Sequence, residues 1–271
     1  MKTRPLARLA AATVVGLALA APPARATPPF LGALELDAPA ALGPPPWTVT
    51  FVLRGVRPEM LGELRARYGA VRFDGEHATA AVRGYPALSE PPGAADRGSG
   101  FYVDPAEPAI QALRADVATA YGAHPRAKDL AAFVAAYITE KDLSRRFDPA
   151  SVVAERRQGD CSEHAVLLAA LCRLYGLPAR VIAGYVILTR PEGDRRAAGH
   201  AWVEVFEDGR WQLADATEPW AYAPVHLPIW TLRDDGPAAS LADPTRLSFV
   251  HVAGLAVRPA AQDAPAVPAP H

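Results

Sequence analysis

The chain has 271 residues, 50% of them hydrophobic and 21% charged, with 28 Lys plus Arg against 29 Asp plus Glu. That balance is typical of a folded globular protein and excludes a disordered or collagen-like chain. The near-neutral charge lacks the basic footprint that nonspecific nucleic-acid binding requires.

Lys2, Arg4 and Arg8 precede an apolar run from Leu9 to Ala21, with small-residue sites at Ala18-Leu19-Ala20 and Ala24-Arg25-Ala26. These are the parts of a secretory signal, so we expect residues 1–26 to be cleaved and the chain to be secreted or periplasmic. The run is 13 residues long, short of the ~20 a membrane-spanning helix needs, and no later stretch is long enough to span. The leader has four basic residues and no acid, which leaves 24 bases against 29 acids and a net charge of −5 beyond it.

Residues 27–46 are rich in Pro and Ala and read as an exposed lead-in. Trp47 to Arg54 alternates as a strand does, and Pro58 to Tyr68 is a helix opened by proline and closed by Gly69. Val71 to Phe73 and Ala78 to Val82 flank an Asp74-Gly75 turn. Residues 27–100 are therefore expected to form a small mixed α/β module, with the Pro- and Gly-rich stretch Ser89 to Gly100 as its boundary.

A second domain is expected over 101–256. Asp104, Pro105 and Glu107 have the spacing of an N-cap acid, a first-turn proline and a third-position acid ahead of Ile110, Leu113, Val117 and Tyr121. Leu130, Phe133, Val134, Tyr137 and Ile138 repeat the helical spacing, and Asp148-Pro149 starts a shorter helix ending near Gly159. Residues 257–271, with four prolines, are expected to be a disordered tail.

Gly159-Asp160-Cys161-Ser162-Glu163-His164 leads into an apolar run that stops at Gly176 and Pro178. Asp160 and Glu163 have capping-box spacing, which places Cys161 in the first turn of a buried helix. Free amides and the helix dipole there favour an anion, whereas the two carboxylates oppose it, so a reactive thiolate needs a base. The second cysteine, Cys172, lies eleven residues further along. At about 1.5 Å per residue the two stand roughly 16 Å apart, beyond the ~7 Å reach of a disulfide.

Arg180 to Leu188 reads as a strand, a charged loop follows from Thr189 to Ala198, and His200 to Phe206 alternates strictly before the Asp208-Gly209 turn and a return strand from Arg210 to Asp215. A two-residue loop pairs positions whose numbers sum to 417, which puts His200 opposite Thr217 and diagonal to Asp215, on one face. A one-residue slip would put Asp215 on the other face. Cys, His and Asp in this arrangement are the parts of thiol acyl transfer: Cys161 attacks, His200 moves protons and Asp215 orients the imidazole.

The sequence resembles the transglutaminase-like superfamily of bacterial papain-fold proteins from about Pro105 to Pro219. The resemblance lies in Gly159-Asp160-Cys161-Ser162-Glu163-His164-Ala165, Gly176-Leu177-Pro178-Ala179-Arg180-Val181, Gly184-Tyr185, Gly199-His200-Ala201-Trp202-Val203-Glu204-Val205 and Asp215-Ala216-Thr217. It implies an α+β fold with a papain-like transglutaminase core, a nucleophile helix packed on an antiparallel sheet, preceded here by the small mixed module. It also implies a Cys161, His200 and Asp215 triad; no cofactor or metal is expected, because the sequence shows no calcium loop or complete zinc set. The expected activity is cleavage or transfer of acyl groups of peptide or isopeptide amides in a peptide or protein substrate, with hydrolysis favoured. Cross-linking to amines, or an idle binding module of the cell envelope, are the alternatives.

Other residues carry weaker signals. Trp202 shares a face with His200 and is a candidate substrate-binding residue, with sheet packing the competing reading. Cys161, His164, His200 and Asp215 could surround a zinc ion, although the triad reading already uses three of them. Glu163 is explained by capping, Cys172 by core burial, and Trp220 and Trp230 by core packing. His226 is assigned no role.

Overall fold

Residues 47–142, 147–189, 195–217, 225–233 and 251–259 are described by a computed structural model. The expected signal segment, the Pro-rich lead-in, Trp220 and residues 260–271 lie outside the described residues. Five helices and two antiparallel four-stranded sheets among the described residues make the fold α+β.

The first sheet begins with β1 (Trp47–Arg54), β2 (Val71–Phe73) and β3 (His77–Arg83), with α1 (Pro58–Tyr68) between β1 and β2. Pro58 starts α1, and Gly69, at φ 68°, stops it by taking the left-handed turn that a side chain would disfavour. Val49, Phe51 and Leu53 alternate inward and meet Met60, Leu61 and Leu64 of α1. The fourth strand, β8 (His251–Pro259), comes from the far end of the chain and pairs antiparallel with β1. β8 therefore crosses the expected boundary between 256 and 257, and residues 257–259 lie in a strand. Prolines and alanines hid it, yet the edge that β1 leaves open supplies the backbone partners its residues need.

The Ser89 to Gly100 stretch forms no helix or strand but is tied down along its length. Trp211 Nε1 donates to Glu90 O at 2.7 Å, Ala179 N to Asp96 O at 2.8 Å and Arg173 Nη1 to Gly98 O at 2.9 Å. It is a strap across the second domain, fastened through the carbonyls of Glu90, Asp96 and Gly98.

Four helices follow: α2 (Pro108–Tyr121), α3 (Ala127–Tyr137), α4 (Ala150–Arg156) and α5 (Cys161–Leu174). α2 starts later than the Asp104 pattern predicts, because Pro108 takes the first-turn position and Glu107 the N-cap. Asp104 instead accepts from the backbone and hydroxyl of Ser151, satisfying a first-turn amide of α4. α5 is the central helix; twelve of its fourteen residues are buried.

The second sheet has the order β6-β5-β4-β7, from β4 (Ala179–Thr189), β5 (Arg195–Glu207), β6 (Arg210–Ala214) and β7 (Val225–Thr231). β5 begins five residues before His200, inside the expected loop, because its ladder with β4 continues to Thr189 opposite Arg195. Val203 pairs with Ala214 and Phe206 with Trp211, the register that the Asp208-Gly209 turn predicts. Ala201, Val203 and Val205 join the helical core, whereas Trp202 and Glu204 reach the N-terminal module. Gly184 is required where β4 meets β7: a Cβ there would lie 2.1 Å from Leu227 O and 2.9 Å from the Trp202 ring.

Candidate active site

The start of α5 is built by its own side chains. The Asp160 carboxylate accepts from Ser162 N at 2.8 Å, and Glu163 Oε2 accepts from Asp160 N at 3.0 Å, completing the capping box that their spacing predicts. Gly159 allows this fold-back, since a Cβ there would stand 2.2 Å from Glu163 Cβ. Burial, then the hydrogen bond and charge of Asp160, raise the Glu163 pKa above the ordinary carboxylate range. Cys161 emerges at the first helical position, half-buried, while Cys172 is fully buried, and both thiols are free. Burial pushes the Cys172 thiol strongly upward, which leaves it a neutral core group.

His200 lies on β5 beside this helix start. Its Nε2 is 2.7 Å from Asp215 Oδ2, and its ring hydrogen-bonds the Cys161 side chain. With Nε2 committed to Asp215, Nδ1 is the nitrogen available to the thiol. Burial, with side-chain exposure of only 4%, opposes charge on His200, but the hydrogen bonds and charges of Asp215 and Cys161 outweigh it and lift its pKa to about 10. Burial likewise opposes the Asp215 carboxylate, and hydrogen bonds from His200 and His226 overcome it, holding Asp215 well below the ordinary range. The three residues singled out for thiol chemistry are thus brought together in one line.

Asp215 stands one residue past the end of β6, where no ladder partner holds it. Its Oδ1 accepts from Thr217 N at 2.9 Å, and its Oδ2 takes a second imidazole, His226 Nε2, at 3.1 Å. His226 belongs to β7, a strand hidden in the sequence by Pro228, which falls at the register shift opposite Gly184. The alternation of His226, Pro228 and Trp230 was the available signal.

Trp202 differs from its expectation as a substrate-binding residue. It is 1% exposed; its Nε1 donates to Tyr85 Oη at 2.8 Å, and its ring stacks on His200 with centroids 5.9 Å apart. Its large side chain is used up beneath the imidazole. Trp230 is buried in the core shared with the N-terminal module.

His164 sits behind the thiol, with Nδ1 2.6 Å from Asp160 O and Nε2 3.3 Å from Lys141 Nζ. Burial is the largest cause that lowers its pKa, to about 4, so Nδ1–H donates to the carbonyl and Nε2 accepts from the ammonium. The zinc alternative weighed around Cys161 and His164 involves a different grouping from the one assembled: among the described residues, His200, Asp215 and His226 bring ligand atoms within 4.8 Å of one another. Two imidazoles and a carboxylate could hold a divalent cation, but here they hydrogen-bond one another. A groove of about 890 Å³ between α3 and β6 leads to Asp215, Thr217 and Lys141.

Residues 111–216 match the family model described as the transglutaminase-like superfamily. No curated protein matches the chain. A solved structure of a candidate cysteine protease from Cytophaga hutchinsonii is similar at 16% identity and a TM-score of 0.44, over 78% of this chain and 86% of that one. The periplasmic domain of TgpA from Pseudomonas aeruginosa is similar at 22% identity, with a TM-score of 0.34 when bound to ethylmercury and 0.33 in a second structure. The match covers 52% of this chain and 56% and 52% of those chains, about half their length. The matched segment runs from within α2 to Ala216 and contains Cys161, His200 and Asp215, so the similarity to the transglutaminase-like superfamily spans all three residues of the thiol line.

Proposed function

We propose that the chain is an exported thiol enzyme that forms a thioester between Cys161 and the acyl group of a peptide or isopeptide amide, then releases the acyl group to water. The observation that carries this reading is the hydrogen-bonded line from the Cys161 thiol through His200 to Asp215. Export rests on the basic and apolar leader of the sequence, which predicts a secreted or periplasmic enzyme.

In this mechanism the proton of Cys161 already rests on His200, which is held charged at neutral pH, and the thiolate of that pair attacks the amide carbonyl. Asp215, held charged by its donors, supports the imidazolium while the tetrahedral intermediate exists. His200 then gives its proton to the leaving amine, and the C–N bond breaks as the thioester forms. A water molecule gives a proton to His200 and its oxygen attacks the thioester; the thiolate leaves and the cycle closes.

Intact-mass labelling with a thiol-reactive reagent at neutral pH tests the thiol. Fast, single modification of Cys161 is expected, and reaction as slow as free cysteine points to an idle binding module. Peptide amides assayed with and without a primary amine then identify the acceptor: hydrolysis independent of the amine is expected, and dominant amide product means cross-linking.

A further inference from the structure

The Asp215 carboxylate receives three donors, and one of them, His226, is an imidazole outside the Cys161, His200 and Asp215 line. His200 Nε2 and His226 Nε2 both converge on Oδ2, at 2.7 and 3.1 Å, while Thr217 N donates to Oδ1 at 2.9 Å. The two histidines stand on opposite sides of β4: His200 pairs with Gly184 on it, and His226 pairs with Val186. Strands β5 and β7 are therefore about 9.6 Å apart at their axes, and one carboxylate oxygen bridges the gap. His226 is itself fixed, 5% exposed, with its ring edge against Trp202 at a centroid distance of 4.8 Å.

Asp215 needs such support because it has left the β6 ladder. A carboxylate held only by His200 and a local turn can rotate about its last side-chain bond, and each rotation costs the imidazole its alignment. We propose that His226 is a positioning residue for the reaction: its Nε2–H holds the Asp215 carboxylate in the orientation His200 requires. This inference rests on the triad reading given under Proposed function. The other ionisable groups facing the assembly are Cys161 and His164 of α5, together with Lys141, whose ammonium contacts His164 and Thr217 O.

The test compares His226→Phe with His226→Gln. Phenylalanine keeps a ring beside Trp202 and removes the donor, whereas glutamine can present an N–H near the place of Nε2. In the phenylalanine variant kcat is expected to fall about tenfold, the worth of one hydrogen bond to a charged group, with KM within about twofold. The pH profile of Cys161 alkylation is expected to move in the same variant, and glutamine restores most of both. Wild-type behaviour of His226→Phe, equal impairment of the two variants, or a loss confined to KM overturns the role. Nitrogen-15 NMR of the histidines in the unmutated protein provides a readout that needs no variant. Hydrogen-bonded Nε2 protons are expected on both His200 and His226, besides the Nδ1 proton of His164, and the absence of one on His226 overturns the proposal. Alkylation and NMR do not depend on amide turnover, so failure of the hydrolase reading remains distinguishable from failure of this one.

Discussion

Arg67 of α1 and Glu204 of β5 are 137 positions apart and meet at 2.7 Å, both side chains fully buried. The Glu204 carboxylate also accepts from Arg180 Nε and from Tyr85 Oη, each at 2.7 Å. Burial opposes its charge, but the two guanidiniums outweigh burial and keep its pKa below the ordinary range. Tyr85 in turn accepts from Trp202, on which His200 stacks. The N-terminal module is thereby wired to the imidazole through a continuous run of side-chain contacts.

Glu204→Ala leaves two buried guanidiniums without their shared carboxylate, and breaking such a pair costs about 3–5 kcal/mol. Denaturant unfolding measures it. A loss under about 1 kcal/mol would show that water enters and replaces the carboxylate.

The two cysteines separate cleanly. Cys161→Ala is expected to abolish turnover and rapid alkylation with the fold intact. Cys172→Ala removes a buried, unreactive sulfur at a cost of about 1 kcal/mol and keeps most of the activity. Comparable losses of turnover in two equally folded variants contradict the assignment.

Asp215→Asn is expected to fold and still alkylate at Cys161, but more slowly at neutral pH, because the thiolate–imidazolium pair loses its supporting charge. Its effect on kcat exceeds that on KM. Stability reports the same coupling. His200 is held charged to about 10 in the folded protein against ~6.5 in an unfolded chain. Its contribution is therefore complete below about pH 6.5 and is lost as pH rises through the folded value. Thermal melts of the wild type should fall across that window, and those of Asp215→Asn should fall less. Equal slopes, with wild-type turnover, leave only a Cys161 and His200 dyad.

Dialysis against a strong chelator is expected to leave activity unchanged, since His200, Asp215 and His226 already satisfy one another by hydrogen bonds. Loss on chelation with recovery on adding zinc overturns this and makes the same three residues a metal centre.

Local chemistry made much of the site legible in the sequence. The capping box, the helix start and the Asp208-Gly209 register depend on neighbours a few residues apart, and they place Cys161, His200 and Asp215 as expected. What escaped depends on distant partners. β7 contains Pro228, and β8 has prolines and alanines around it, so each becomes a strand only because a sheet edge awaits it. His226 reaches Asp215 through the pairing of β7, and Tyr85 finds its partners in Glu204 and Trp202 of β5. Trp202 misled for a related reason: its face was correctly read, but a tyrosine over a hundred positions earlier claims its indole nitrogen.

The pairing of β8 with β1 makes the order of synthesis matter. Trp47 to Arg54 leave the ribosome about two hundred residues before His251 to Pro259, and the whole thiol-bearing segment is made between them. Until the last of these residues is available, β1 presents one bare hydrogen-bonding edge, a template for pairing with another nascent chain. A long loop must also close before the contact forms, so docking of the terminal strand is placed among the slow events of folding. Truncating the chain ahead of residue 251 would spare every residue of the thiol line and still leave that edge uncovered, so such a fragment should aggregate from its N-terminal module.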